Sequence, residues 1–139
     1  MYAANPRDRA TRAYAEGAAT LPPAAVLVQV HDGMVAKLLE ARAAIQDDRI
    51  EDRLNASLKV AAVVEALHHA LDTEQGGEIA ANLGQLYAYF IRRIQVLNLR
   101  NDPAICDELV ARLRELREAW AAAARSDVAP AVDMSALSA

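Results

Sequence analysis

With 139 residues the chain is of single-domain size and long enough to bury its own core without disulfide or metal staples. A formal charge of −4 and a sequence pI near 5.3, with acids and bases interleaved, leave no basic footprint, so no nucleic-acid partner is expected. One cysteine, Cys106, rules out an internal disulfide, and the longest apolar stretch, Leu21 to Leu39, is broken by Gln29, His31, Asp32 and Lys37, so no membrane insertion is expected either. Residues 1 to 12 carry three arginines but no apolar run of the secretory-signal kind, which makes the cytoplasm the expected compartment. Ala, Leu, Glu and Arg dominate while Gly and Pro number five each, a balance that predicts an all-α domain.

Residues 1–22 surround Tyr2 and Tyr14 with small, polar and basic residues and show no sustained apolar face. They read as an N-terminal arm or one short helix. Pro22-Pro23 closes the arm, and a proline near the first turn suits a helix start because it has no N–H to lose there. A first helix to about Asp47 follows, with Leu27, Val30, Met34, Leu38, Ala41 and Ile45 on one stripe. Gly33 inside it marks either a close helix contact or a bend. A second helix, Ile50 to about Leu71, has the stripe Ile50, Leu54, Ser57, Val60, Val64, Leu67 and Leu71. Gly76-Gly77 breaks the pattern. A third helix then carries Ile79, Leu83, Leu86, Tyr87, Phe90, Ile94 and Leu97. Asp102-Pro103 is an N-cap followed by proline at the first helical position, and Ile105, Leu109, Leu113, Leu116 and Trp120 form the fourth stripe. Beyond it the small-residue tail, 126–139, is expected to be disordered. Four helices joined by short links predict an antiparallel up-down four-helix bundle over residues 23–125.

Little in this pattern suggests catalysis. His68 and His69 are adjacent, point about 100° apart on a helix, and do not form an i, i+4 chelate. His31 is expected to be a packed helix histidine. The carboxylates Asp47, Asp48, Glu51 and Asp52 gather at a helix junction, where they complement the positive end of a helix. Cys106, in the first turn of the fourth helix, reads as a packed, inert thiol. Gly76-Gly77 lacks the Lys-Ser/Thr of a phosphate loop. No inward Glu-x-x-His pairs are present for a metal in the bundle core, and no cofactor is expected. Arg92-Arg93 either pairs with acids of a neighbouring helix or clamps a partner's carboxylate or carbonyls. Tyr87, Tyr89 and Phe90 span more than one face of the third helix, wider than a simple two-helix contact buries, and amphipathic aromatics are enriched where proteins bind proteins.

The stretch LDTEQGGEIAANLGQLYAYFIRRIQVLNLRND resembles the central signature of the FliS family of flagellar secretion chaperones. The resemblance rests on Leu71-Asp72, Gly76 to Ala80, Asn82-Leu83, Leu86-Tyr87-Ala88-Tyr89, Arg92-Arg93 and Asn98 to Asp102. It extends through Glu108, Leu113, Leu116 and Ala119-Trp120 downstream, and Ala13-Tyr14, Thr20-x-x-Pro23 and Asp32-Gly33 upstream. It implies a cytosolic helical bundle, not an enzyme, that holds the disordered C-terminal segment of flagellin, stops premature polymerisation and delivers it to the flagellar type III export gate. A divergent member holding another flagellar or regulatory client, such as an anti-sigma factor, is the alternative. Tyr14, Met34, Tyr87, Tyr89, Phe90, Arg93 and Ile94 are the residues expected to contact the client. Where the family has Tyr or Phe before Asp-Gly this chain has His31, and the link from Tyr14 to the first helix is shorter, which bears on whether the arm covers the client groove as it can in the family.

Overall fold

The computed structural model describes residues 21–71, 74 and 76–126. Tyr14, nearly all of the expected arm, and the expected tail after Ser126 lie outside the described residues. Four helices account for almost everything else: α1, Ala24–Gln46; α2, Ile50–Ala70; α3, Gly77–Arg100; and α4, Pro103–Ser126. No strand occurs among the described residues.

The helix ends follow local chemistry. Pro23 enters α1 with φ −54°, and its carbonyl accepts from the amides of Val26 and Leu27 at 2.9 and 3.0 Å. At the other end Asp48 takes the left-handed conformation (φ 55°). The Arg49 amide reaches back to the Ala44 carbonyl at 2.8 Å and that of Asp48 to Ile45 at 3.3 Å, the paired bonds of a Schellman ending with aspartate in the place glycine usually fills. Gly77 opens α3 at φ +58°, a conformation that disfavours any side chain. Asn101 closes α3 in the left-handed region, its amide bonded to the Leu97 carbonyl at 2.8 Å. One residue later Asp102 Oδ1 accepts from the Ala104 amide at 2.9 Å, so Pro103 sits at the first helical position as its sequence context predicts.

With two to six residues in each link, successive helices run antiparallel. Each packs on two neighbours in the order α1, α2, α3, α4 and back to α1, and among the described residues the backbones of the diagonal pairs, α1 with α3 and α2 with α4, do not approach closely. The α1 backbone comes closest to its neighbours, where Ala41, Ala44, Ala56, Ala121 and Ala123 are buried. The α3 and α4 backbones come least close, because α3 brings Leu83, Leu86, Tyr87, Phe90, Ile94 and Leu97 to the interior. Large side chains hold helices apart and small ones let them approach.

The first, third and fourth stripes run into the core largely as read, although the Ile79 side chain lies outside the described residues. The second needs correction. Ile50 and Leu54 stand exposed, and at their level α2 buries Arg53 and Ala56 instead, next to Ser57, which is buried as read. Gly33 is not a close contact: α1 runs unbroken through it, and a Cβ there would meet nothing within 4 Å. Gly84 is the close approach, its missing Cβ lying 3.5 Å from His68 Nε2 and 3.8 Å from Leu71 Cδ1.

Candidate functional site

The aromatic segment of α3 divides between interior and edge. Tyr87 and Phe90 are buried, as are Met34 on α1 and Ile94 one turn on. A helix wedged between two neighbours buries a wider arc than one packed on a single partner, which is how both aromatics fit inside. Burial pushes the Tyr87 hydroxyl pKa well up, and the hydroxyl has no hydrogen-bond partner among the described residues. Four of the seven residues expected at a client contact are therefore interior in this closed bundle.

Tyr89 and Arg93 lie together at the α3–α4 edge. Arg93 donates from Nε to Glu108 Oε2 at 2.7 Å and from Nη2 to Oε1 at 3.0 Å, a bidentate pair, and the Tyr89 hydroxyl donates to Glu108 Oε2. Partial burial alone would raise the Glu108 pKa, but the bonds from Arg93 and Tyr89 outweigh it and hold the carboxyl below its ordinary range. Arg93 thus takes the intramolecular pairing considered for the arginine pair. Arg92, one position before it, is exposed and paired with no described residue.

Two further polar links explain the close of the signature. Asn98 Oδ1 accepts from Ser57 Oγ at 2.8 Å, and Asn101 Oδ1 accepts from Arg53 Nη1 at 2.8 Å. They clip α2 to α3 at the end of the bundle where α2 begins, and they set the register of the two helices. The sequence held a signal for them, a serine in an otherwise apolar stripe opposite two asparagines, but no spacing rule pairs residues 41 and 48 apart.

His31 is fully buried. Its Nδ1 lies 2.7 Å from the Leu27 carbonyl, which makes Nδ1 the protonated nitrogen of the neutral ring, and Nε2 is buried with no hydrogen-bond partner among the described residues. Desolvation lowers its pKa despite that bond and nearby Asp32. Cys106 is also buried, and loss of solvent pushes its thiol up to about 11, so the helix start does not activate it. An open cleft between α1 and α2 is lined by Lys37, Glu40, Ala43, Arg49, Asp52, Asn55, Ala56 and Lys59. Ion pairs between Lys37 and Glu40 and from Arg49 to Asp47 and Asp52 occupy much of it. Among the described residues no cluster of three or more His, Cys, Asp or Glu is placed to hold a metal, and no helix is long and apolar enough to cross a membrane.

The surface feature the sequence reading missed is apolar. Leu54 (37% exposed) and Leu58 (52%) on α2, and Leu99 (85%) on α3, stand outside the core, with Ile50 (62%) at the start of α2. Because Ser57 faces Asn98 across the α2–α3 contact, the 100° step per residue puts Leu54 and Leu58 on the outer shoulder of α2 toward α3, and Leu99 on the matching shoulder of α3. The seam between these two helices therefore presents leucines to solvent. The α1–α4 and α3–α4 edges are instead bridged by Arg42–Asp107, Arg117–Asp32 and Arg93–Glu108.

Among the described residues the chain is a helical bundle with a buried aromatic core and an apolar outer seam. Comparison with known proteins makes the class specific. The chain matches the family described as Flagellar protein FliS over residues 7–127. It is 36% identical over 88 residues to the flagellar secretion chaperone FliSB of Pseudomonas aeruginosa, covering 63% of this chain and 70% of that protein. It is 35% identical over 99 residues to the flagellar secretion chaperone FliS of Salmonella typhimurium, covering 70% and 73%, and 32% identical over 126 residues to that of Escherichia coli, covering 86% and 90%. The chain belongs to the FliS family of flagellar secretion chaperones.

Proposed function

We propose that the protein holds the disordered C-terminal segment of flagellin in the cytosol, keeps it from polymerising early and hands it to the flagellar type III export gate. The relatives' names support a flagellar secretion chaperone, and the signature from Leu71 to Asp102 supports flagellin as the client. The observation that carries the reading is the exposed leucine seam. A single-domain bundle that leaves Leu54, Leu58 and Leu99 in water keeps an apolar surface for a partner, and segment recognition in a groove between helices requires no chemical step.

The client contact is proposed to centre on this seam, with Tyr89 and Arg93 at the α3–α4 edge as a second contact. Met34, Tyr87, Phe90 and Ile94 then act by shaping α1 and α3 from within. Tyr14, from the segment before the bundle, is proposed to reach the client as well. A disordered segment loses backbone entropy when it docks, and apolar burial against the seam offsets that loss. The test is titration of the chain with the C-terminal segment of the cognate flagellin, with Leu58→Asp as the discriminating variant. Loss of binding by a folded variant is expected, and undiminished binding would move the contact elsewhere.

A further inference from the structure

Resting on that reading, we infer that Arg93, neutralised by Glu108, docks uncharged acceptors of the client, its backbone carbonyls, and does not clamp a carboxylate. A guanidinium carries five N–H donors. Glu108 takes two of them, from Nε at 2.7 Å and from Nη2 at 3.0 Å. The other three, two of them on Nη1, have no partner among the described residues, and the Arg93 side chain keeps 31% of its surface exposed, so a partner has access to it.

The chemistry of the edge selects the acceptor. The Nε–Nη2 side of a guanidinium is a fork that fits a carboxylate bidentately, and Glu108 already fills it. A second carboxylate would have to displace Glu108 or lie beside it against like charge. The neighbouring charge is spent as well, since Arg112, one turn along α4, pairs with Glu115 at 3.5 Å. A carbonyl oxygen brings no net charge and needs one donor, which Nη1 supplies, and a segment that arrives disordered has carbonyls without partners within its own chain. Glu108 is then a positioning residue. It accepts from Arg93 twice and from the Tyr89 hydroxyl, which fixes the guanidinium plane before the client arrives and spares the rotamer freedom that a loose arginine would lose on binding.

The experiment is calorimetric titration of the full chain with the C-terminal segment of the cognate flagellin at ~0.05 and ~1 M salt, with circular dichroism as the folding control. The variants are Arg93→Ala, Arg93→Lys, Glu108→Ala and the double variant Arg93→Ala/Glu108→Ala. Arg93→Ala is expected to weaken binding about fivefold, and by the same factor at both salt concentrations. Arg93→Lys should weaken it similarly, because an ammonium lacks the planar array that serves Glu108 on one edge and a carbonyl on the other; it also decides the matter should Arg93→Ala fail to fold. Glu108→Ala should weaken binding in the wild-type background and add nothing to Arg93→Ala, the mark of a residue that acts through another. Failure of the wild type to bind the segment overturns the client reading together with this one. Wild-type binding that the folded Arg93 variants retain in full overturns this inference alone. A loss in Arg93→Ala that shrinks severalfold at ~1 M salt while Arg93→Lys binds like wild type identifies a carboxylate partner and overturns it. Glu108→Ala and Arg93→Ala effects that add in the double variant overturn the positioning role.

Discussion

Ser57 of α2 and Asn98 of α3 share a hydrogen bond of 2.8 Å in a segment of the bundle that is otherwise apolar. One turn away Arg53, nearly as buried, donates to Asn101. A buried hydroxyl or guanidinium without a partner is costly, so the two asparagines of the signature hold α2 against α3 by giving acceptors to Ser57 Oγ and Arg53 Nη1, while Arg53 Nε is buried with no partner among the described residues. Both leucine shoulders of the seam are fixed by this clip.

Asn98→Ala removes the inter-helix acceptor of Ser57, whose hydroxyl can still donate to the Leu54 carbonyl at 3.0 Å, and is expected to cost about 1 kcal/mol in urea unfolding. Asn101→Ala should cost more. It strips the acceptor from Arg53 and forces alanine into φ 53°, a conformation asparagine tolerates better. Unfolding midpoints equal to wild type for both would show that the clip contributes nothing.

Acid should weaken the protein in two stages. His31 has a folded pKa below its ordinary value of 6.5, so the folded state favours the neutral ring. Stability is complete above pH ~6.5 and falls as the pH drops from there toward the lowered folded value, because the unfolded chain takes up the proton first. Glu108 is likewise held below its ordinary carboxyl value, so its contribution is present above about pH 4.5 and is lost as the pH falls through the folded value. His31→Phe, the residue type usual in the family at this place, should flatten the upper stage and leave the lower one. Thermal unfolding between pH 8 and 3.5 checks both, and an unchanged slope between pH 6.5 and 5 in the variant would contradict the assignment.

Two glycines should respond in opposite directions. Gly33 is mid-helix with open space where a Cβ would stand, so Gly33→Ala is expected to stabilise by about 0.5–1 kcal/mol. Gly77 sits at φ +58°, and Gly77→Ala should destabilise by ~1 kcal/mol or more. Melting temperatures displaced in the same direction would refute this account of the two positions.

The helices were legible in the sequence because their punctuation is local. Pro23, Gly77 and Asp102-Pro103 act on their own backbone, and the α4 stripe from Ile105 to Trp120 repeats cleanly enough to fix its buried face. The proposed client surface was less legible. Tyr87, Tyr89 and Phe90 suggested an exposed aromatic face, but how much arc α3 buries depends on two neighbours whose placement no single helix encodes. Ile50 and Leu54 extend the apolar stripe of α2 on paper, yet Arg53 takes an inward position beside Ser57, where Asn101 and Asn98 offer acceptors to the two side chains. That exchange, polar in and leucine out, is decided by residues more than forty positions away, and it is what leaves leucines on the seam.

The measurement that tests the account most directly is calorimetric titration of the full chain with the C-terminal segment of the cognate flagellin at several temperatures. The account predicts saturable one-to-one binding with a negative heat-capacity change, the mark of apolar burial coupled to ordering of the segment, and its loss in Leu58→Asp. The absence of binding by a folded wild-type chain would contradict it.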